Sequence, residues 1–564
     1  MMTIEADRMS RHVEPAEDNG LVFAVLGKCL SFALIAYVIA QQILAIWITL
    51  TFDPVEWVDF IQDDAYYYLG VARNIAEHGT SAFSLPIETN GYQPLWLVIL
   101  SCAAKLVGGD RILLVAMTHA ISLIAVASFM ILSRRFYGQA WPAALAIVLF
   151  PDIMIAGMET VLIPPLALLY FRARSWKTRG LLASLLFLSR LDALALIAGR
   201  ALYDLVTQRR IGWAEHAVLV ATVALYMGFN LVMFGTPVPV SGLAKAVGNV
   251  PGENILIGLR LLYRLIPALI VLSPLFMLRV TGIYAFRNPQ ALVACLSAVA
   301  ASALYYGVFS GWLLWPWYLW SVMAVVYFTL LELATIQAGL PKRYHVAGRV
   351  WRIVAVVILL THMSAALFIH SGRHRPLSEP FDGAPGNEVP FGPDNVLVAR
   401  KLNRDEPRRI SFAMGDRAGS LGYFLDDRFR VLQLEGLVGS YEQIVRMRED
   451  RTLDYVAAQK PDWLIVDRDG PLRVIGGQLI VEEPYQGLSV HQGAFVLCFP
   501  ASARVPSPNF GSLRETRYFL RFADRQPCSS AALDWFEQWR SHYRGPTLRD
   551  LRKFPIFLHY YGSV

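Results

Sequence analysis

Long apolar runs recur along this chain, and they constrain its fold more than any other feature. The runs cover about 21–50, 112–132, 141–157, 160–171, 181–207 with an interruption, 214–234, 258–278, 289–309, 317–338 and 351–370. A helix needs about 20 apolar residues to cross the hydrocarbon core of a bilayer. Only 17% of the 564 residues are charged, against roughly 25% in soluble domains. The sequence therefore predicts an α-helical polytopic membrane protein with about 11 transmembrane helices.

The charges between the runs predict the orientation of the chain. The loop at residues 51–111 contains eight acidic and three basic residues, whereas the loops at 134–135, 172–179, 209–210, 279–287 and 342–349 are basic. Because basic loops stay in the cytoplasm, we expect loop 51–111 outside and the tail at residues 1–20 inside. The first run is too long for a signal-peptide core, so we expect it to stay as an anchor. The apolar stretch 94–107 is too short to cross and is predicted to lie in the interface; if it crossed, the next two basic loops would change sides.

The last third of the sequence has a different character. Residues 371–395 are rich in proline and glycine and are predicted to be a linker after a transmembrane domain at 21–370. Residues 396–564 are predicted to form a soluble α/β domain, which the number of crossings places in the periplasm. We expect strands at 410–414, 431–434, 463–466 and 495–498, and helices at 441–448 and 450–459.

Cysteine spacing and net charge exclude two classes of function. The five cysteines form no CxxC pair, so a zinc site is not expected. Cys498 and Cys528 are either a disulfide, if their domain meets an oxidising compartment, or two unpaired thiols. The net charge of +7 is spread over short loops and the C-terminal third. This distribution of positive charge is not the one expected of a nucleic-acid-binding surface. We therefore expect membrane lipids and no nucleic acid as partners.

Two adjacent carboxylates, Asp63 and Asp64, follow the first apolar run directly. The apolar spacing after them predicts a helix that ends near Gly79. Taken alone, the pair has two interpretations of equal weight. It could only cap this helix, since Asp suits a helix N-terminus, or a carboxylate could act as a general base toward an alcohol.

Four further charged residues, in apolar segments or the loops beside them, fall on the same predicted outer face: Glu159, Arg190, Asp192 and Lys245. Ionisable residues in membrane segments are costly and suggest function. The carboxylates could shape a pocket or bind a metal, and the cations could hold a phosphate. Each also has a purely structural interpretation. Glu159 could cap a helix or pair with a charge in a neighbouring loop, and Arg190 and Asp192 could form a buried ion pair with each other. Lys245 could be an ordinary loop lysine whose charge is solvated.

Aromatic and amide side chains accompany these charges. Tyr67 and Tyr92, with Asn90 and Gln93 in the segment 89–96, are predicted to bind substrate, because aromatic faces and hydroxyls suit sugar rings. The aromatic residues at 315–320 are interpreted as an interfacial belt. The segment 415–419 follows a predicted strand but lacks the spacing of a phosphate-binding loop, so we expect an ordinary turn.

This set of motifs resembles the GT-C superfamily of polytopic glycosyltransferases. The resemblance covers roughly residues 20–340 and rests on the acidic pair at 63–64, TNGYQPLW at 89–96, GMET at 157–160, RLD at 190–192 and PVSG…K at 239–245. The chain looks most like bacterial lipid-phosphate-sugar-dependent transferases. It is more distantly similar to mycobacterial terminal arabinofuranosyltransferases, and more distantly still to protein O-mannosyltransferases and lipid A aminoarabinose transferases.

The resemblance implies a function and roles for single residues. It implies a polyprenyl-phosphate sugar donor, inversion at the anomeric carbon, and a glycan, lipid or protein acceptor at the outer face of a bacterial inner membrane. Asp63 matches the acidic residue that acts as base, and Asp64 lies beside it. Glu159 matches the acidic position of the second outer loop, and Arg190 and Lys245 match positions near the lipid phosphate. Some members use a divalent metal and many do not, so no cofactor is assigned.

Two other classes of function fit a chain with many spans. A transporter or flippase of lipid-linked sugars predicts inverted repeats and polar residues near the middle of the spans, whereas here the polar motifs cluster at one face and no repeat is evident. A sensor or scaffold would depend on the C-terminal domain and leave Asp63 dispensable. We predict a glycosyltransferase with Asp63 or Asp64 as the base, and Asp63 is preferred.

Overall fold

The computed structural model describes residues 17–154, 157–209, 212–248, 255–310, 312, 314–341, 344–371, 391–415, 417–467, 473–483, 493–503, 505–506 and 517–542. Most of the predicted linker at 371–395 lies outside these residues. Its last five residues are already helical, because the first helix of the C-terminal domain begins at Phe391.

The first two thirds of the chain are helical. The helices are α1 Glu17–Thr51, α2 Pro54–Trp57, α3 Asp63–His78, α4 Pro94–Leu106, α5 Arg111–Tyr137, α6 Trp141–Leu149, α7 Pro151–Met154, α8 Ile163–Arg172, α9 Trp176–Ser189, α10 Leu194–Gln208, α11 Trp213–Phe234, α12 Val240–Ala244, α13 Ile255–Val280, α14 Pro289–Leu304, α15 Trp320–Gly339 and α16 His345–Ser371. A π-helical turn, Tyr305–Phe309, extends α14, and a 3-10 turn, Pro316–Leu319, leads into α15.

Six helical segments of the described chain are long and apolar enough to cross a membrane. They are Lys28–Thr51, Arg111–Tyr137, Trp213–Phe234, Ile255–Val280, Pro289–Phe309 and Pro316–Ile336. The protein is therefore a multi-pass membrane protein with an α-helical membrane domain. The predicted count of eleven is not confirmed, because the apolar runs from 141 to 208 form helices of 9 to 15 residues (α6, α8, α9 and α10) together with the single turn α7.

The segment between α1 and α5 folds as a small helical subdomain. Its main helix, α3, begins at Asp63 and ends where Gly79 takes the left-handed conformation at φ 69°, as the sequence predicts. Helix α4 begins with Pro94, whose fixed φ suits a first helical position. Its 13 residues fall short of the roughly 17 needed to cross. Both α1 and α5 meet this subdomain at one end, which we call the loop side of the membrane domain.

The C-terminal domain is α/β, as predicted. Its helices are α17 Phe391–Asp405, α18 Ala418–Phe424, α19 Tyr441–Arg448, α20 Thr452–Ala458 and α21 Ser530–His542. Its strands are β1 Ile410–Met414, β2 Phe429–Gln433, β3 Trp463–Asp467, β4 Arg473–Ile475, β5 Gln478–Glu483, β6 Phe495–Pro500, β7 Val505–Pro506 and β8 Arg517–Arg521. The four predicted strands and two predicted helices are all present, with ends shifted by a few residues.

Two sheets organise this domain. The larger has the order β2-β1-β3-β8-β7, in which β1 pairs in parallel with β2 and β3, whereas β8 pairs antiparallel with β3 and β7. The smaller is the antiparallel sheet β4-β5-β6. The sulfur atoms of Cys498, in β6, and Cys528 are bonded in a disulfide, which decides between the two alternatives left open by the sequence.

The C-terminal domain is docked on the loop side. Arg73 of α3 makes two hydrogen bonds to Asp427, at 3.0 and 3.2 Å. Arg400 of α17 pairs with Asp53 at 2.8 Å. The main chain of Val431 in β2 donates to the hydroxyl of Ser84 at 2.9 Å. The docked domain therefore contacts α3 along its length, at Asp63 and at Arg73.

Candidate functional site

Asp63 is the point where the two domains join most tightly. Its carboxylate accepts hydrogen bonds from the main-chain N–H groups of Gly419 and Ser420, at 2.9 and 2.8 Å, and from the Ser420 hydroxyl at 2.6 Å. The N-cap of its own helix is Gln62, so Asp63 does not cap α3. It instead satisfies the first N–H groups of α18, where a carboxylate is favourable. The preference for Asp63 as base is therefore not supported, because its oxygens are already engaged.

Asp64 faces a different part of the molecule. Successive helical residues point about 100° apart, so its carboxylate leaves α3 in another direction. Its negative charge acts on Lys245, which follows α12 and is half-buried. Burial lowers the pKa of Lys245, and the Asp64 charge opposes that effect. Lys245 is therefore a desolvated cation within electrostatic reach of the Asp64 carboxylate.

Glu159, Arg190 and Asp192 form an ionic cluster in which Glu159 and Arg190 are buried and Asp192 is partly exposed. Arg190, at the junction of α9 and α10, donates to Glu159 Oε1 at 2.7 Å and to both oxygens of Asp192 at 2.9 and 3.0 Å. The side chains of Arg190 and Glu159 are only 6% and 3% exposed. The structural alternative raised from the sequence therefore applies to the pairing, since Arg190 pairs with both carboxylates, but the cluster keeps one negative charge in excess. Arg190 can meet a phosphate only as part of this cluster.

Tyr318 links the cluster to Lys245. Its ring centroid lies 5.5 Å from the Arg190 guanidinium carbon and 5.1 Å from Lys245 Nζ. The ring stacks on Tyr306 at 5.0 Å. The indole N–H of Trp320 donates to Asp192 at 3.2 Å. Two cations therefore flank one aromatic face, which is a favourable arrangement for each of them.

The other predicted substrate-binding residues hold the loops of the site together. Tyr67 accepts a hydrogen bond from the Ala418 N–H at 3.1 Å, beside the Asp63 contact. Asn90 donates to Asn230 and accepts from the Val240 N–H, at 3.0 and 2.9 Å.

Tyr92 shares a hydrogen bond with Ser81 at 2.7 Å. Gln93 accepts from the Leu191 N–H at 3.2 Å and donates its own N–H to Tyr68 at 3.1 Å. These bonds fix the segment 89–96 between α3 and the Arg190 junction. They give Tyr92 and Gln93 a positioning role.

Sequence reasoning missed several residues of this site. Tyr318 and Trp320 were assigned to an interfacial belt, yet both are buried against the charged cluster. Tyr68 is also buried, and burial together with the Glu159 charge raises its pKa. Ser420 lies 357 positions from its partner Asp63 and gave no signal. The segment 415–419 does contain a turn, with Arg417 in the left-handed region at φ 59°.

A candidate metal cluster lies elsewhere. Among the described residues, three potential ligands within 4.8 Å of one another are found at Glu77, His78 and Asp427, which are exposed. Arg73 already pairs with Glu77 and Asp427, each at 3.0 Å. These residues lie at the far end of α3 from Asp64. They give no support to a divalent metal at the candidate site.

Comparisons with known proteins add no family to this description. No protein-family model matches the chain, and no curated protein sequence matches it at a significant level. The resemblance to GT-C glycosyltransferases therefore rests on the motifs alone and stays a prediction.

Proposed function

We propose that this chain is a GT-C type glycosyltransferase that transfers a sugar from a polyprenyl-phosphate donor to a glycan, lipid or protein acceptor of the cell envelope. The observation that carries the proposal is the convergence of Asp64, Lys245 and the Arg190 cluster beside the membrane helices. A carboxylate opposite a desolvated cation suits attack on a sugar whose leaving group is a lipid phosphate.

Asp64 is the proposed base. It removes the proton of an acceptor hydroxyl, and that oxygen forms a bond to the sugar C1. The bond from C1 to the phosphate oxygen breaks on the opposite side, its electron pair leaves with the phosphate, and the anomeric configuration inverts. A positioned base contributes about 10²- to 10⁴-fold to such a step. Asp63 supports the reaction indirectly, by holding the C-terminal domain over α3.

Lys245 is the proposed partner of the leaving phosphate. Its ammonium has no carboxylate within ion-pair distance among the residues that the structure describes. Arg190, in contrast, is compensated by both Glu159 and Asp192. Lys245 is therefore the better cation to neutralise charge that develops on the phosphate.

The proposed orientation follows from charge and redox chemistry. We assign loop 51–111 and the C-terminal domain to the periplasmic side of a bacterial inner membrane, with about eleven crossings of the chain. The disulfide between Cys498 and Cys528 supports this side, because disulfides persist in oxidising compartments.

A transfer assay tests the function. The purified full-length chain is incubated in lipid nanodiscs with labelled polyprenyl-phosphate sugars and cell-envelope acceptors, and glycans of cells with and without the protein are compared by mass spectrometry. We expect one sugar to be absent from cells without the protein and to be transferred in vitro. Unchanged glycans together with movement of the intact lipid-linked sugar between leaflets would instead favour a flippase.

A further inference from the structure

A cavity of about 600 Å³ opens where the C-terminal domain meets the loop side of the membrane domain. It is lined by Pro54, Gly109, Asp110, Arg111, Ile112, Val396, Arg400, Asn403, Arg404 and Phe424. Its volume lies within the range of sites for small molecules. None of these residues belongs to the candidate active site.

The lining of this cavity is cationic. Three arginines contribute to it, and the one carboxylate among the described lining residues, Asp110, accepts the Leu113 N–H at the start of α5. Arg111 is held by the main-chain carbonyls of Tyr423 and Leu425, at 2.7 and 2.8 Å.

The other two arginines have partners that an anion can replace. Arg400 pairs with Asp53, and both side chains are about half exposed. Within the part of the chain that the structure describes, Arg404 pairs only with its neighbour Asp405, and its side chain is 71% exposed. Exposed ion pairs of this kind are weak. Guanidinium groups bind phosphate oxygens in a bidentate manner, so both can turn to a phosphate.

The position of the cavity indicates the kind of anion. One spanning segment ends at Thr51 and the next begins at Arg111, so the cavity lies at the height where the apolar spans meet water. Ile112 and Phe424 give it an apolar side beside the three arginines, and Phe52 and Leu113 nearby are exposed. A ligand with a phosphate head and apolar chains matches this combination better than free phosphate does.

We propose that this cavity binds the headgroup of an anionic glycerophospholipid, which fastens the C-terminal domain to the bilayer surface. The phosphate lies against Arg400 and Arg404, and the acyl chains follow the apolar ends of α1 and α5. The proposal is independent of the glycosyltransferase assignment, because it uses no residue of that site.

Native mass spectrometry of the purified full-length chain in detergent tests this site. Phosphatidylglycerol and phosphatidylcholine with identical acyl chains are added, and the retained lipid is counted. We expect preferential retention of phosphatidylglycerol. The double variant R400Q/R404Q lacks both arginines. We expect each lost arginine to lower the retention of phosphatidylglycerol by about fivefold.

Two control variants separate binding from folding. R408Q removes an arginine that pairs with Glu406 and does not line the cavity, and whose side chain is about as exposed as that of Arg404. This variant should retain the lipid as the unmodified chain does. D53N releases Arg400 while the asparagine still caps α2, and should retain at least as much lipid.

Three results would overturn the proposal. The first is equal retention of the two lipids by the unmodified chain. The second is equal loss in R408Q and in the double variant. The third is complete displacement of phosphatidylglycerol by excess inorganic phosphate, which would indicate a phosphate site instead of a lipid site.

Discussion

Asp63 and Asp64 are neighbours in the chain, yet their carboxylates meet different parts of the molecule. Asp63 accepts three hydrogen bonds from α18, whereas the charge of Asp64 acts on Lys245. The interpretation of the pair as a cap of α3 is therefore wrong, because Gln62 is the N-cap of that helix and Asp63 satisfies the N-terminus of α18 in the other domain. This division gives Asp63 a role in docking, and it leaves Asp64 as the residue that we propose for the chemistry.

Breaking the pair between Arg190 and Glu159 should be strongly destabilising. Both side chains are almost fully buried, and removing one partner of a buried pair costs about 3–5 kcal/mol because a charge is left uncompensated. R190Q should therefore lower the unfolding free energy in detergent by that order. R451Q is the matched control, since Arg451 and Asp454 are more than half exposed and such pairs contribute about 0–1 kcal/mol. Equal losses in R190Q and R451Q would contradict this account.

Lys245 should make the reaction sensitive to alkaline pH. Burial lowers its pKa below the ordinary value of 10.5, so its ammonium loses the proton earlier than an exposed lysine does. The transfer rate should fall as pH rises through that lowered pKa. K245R should move the fall to higher pH, because arginine keeps its charge, and K245Q should be slow at every pH. A rate profile of K245R identical to that of the unmodified chain would speak against this role.

Glu482 should make the C-terminal domain less stable as pH rises. It is 1% exposed in β5, and burial raises its pKa from 4.5 to about 8. The folded state therefore holds a proton that the unfolded state releases above pH 4.5. Stability falls between about pH 4.5 and 8, by on the order of 5 kcal/mol at most. Thermal unfolding followed across this range should show the fall, and E482Q should remove it. A fall of the same size in E482Q would assign it to another group.

At the scale of elements, the short helix α18 packs closely on α3 and is one of the contacts between the domains. It has seven residues, and a Cβ atom on Gly419 would overlap the main-chain carbonyl of Asp63. The close approach of α3 and α18 therefore requires glycine at this position. It also places the N–H groups of α18 against the Asp63 carboxylate.

G419A should weaken this docking. Hydrogen exchange should rise in α18 and at Arg73, whose partner Asp427 lies just beyond α18. D63A should have a similar effect, because hydrogen bonds to charged groups contribute about 1.5–3 kcal/mol. G228A is the control, since a Cβ there meets nothing within 4 Å and alanine favours a helix. Unchanged hydrogen exchange in both G419A and D63A would contradict the role of Asp63 in docking the C-terminal domain.

Local patterns made several elements predictable. The helix α3 with its end at Gly79, the four strands of the C-terminal domain and the helices near 441–448 and 450–459 follow from periodicity and turn residues. The spanning segments follow from length and apolar composition. The shorter helices α6 and α8–α10 were harder to assign, because apolar runs of this length fit a crossing, a hairpin or a buried helix equally well.

At the scale of the whole molecule, the candidate site depends on contacts between distant parts of the chain. Glu159, Arg190 and Asp192 were singled out from the sequence as costly charges, and they do lie together. The pairing of Arg190 with Asp192 was one of the alternatives raised from the sequence, whereas the contact of Arg190 with Glu159 and the docking of Ser420 on Asp63 are tertiary contacts with no local signal. Tyr318 and Trp320 were misassigned because an aromatic residue at a membrane interface and one in a polar site have the same local sequence pattern.

The C-terminal domain is attached to the loop side of the membrane domain at several points. Arg73 and Asp63 of α3, together with Asp53 just after α1, bind three different elements of that domain. The sensor interpretation predicts that loss of this domain abolishes function while Asp63 is dispensable.

The transfer rates of D64N and D63N test the central claim most directly. The proposed roles predict that D64N loses about 10²- to 10⁴-fold in rate while its folding is unchanged. D63N should keep a larger share of the rate and show looser docking, and E88Q, at an exposed acid of the same subdomain, should match the unmodified chain. Activity of D64N close to that of E88Q would contradict the assignment of Asp64 as the base.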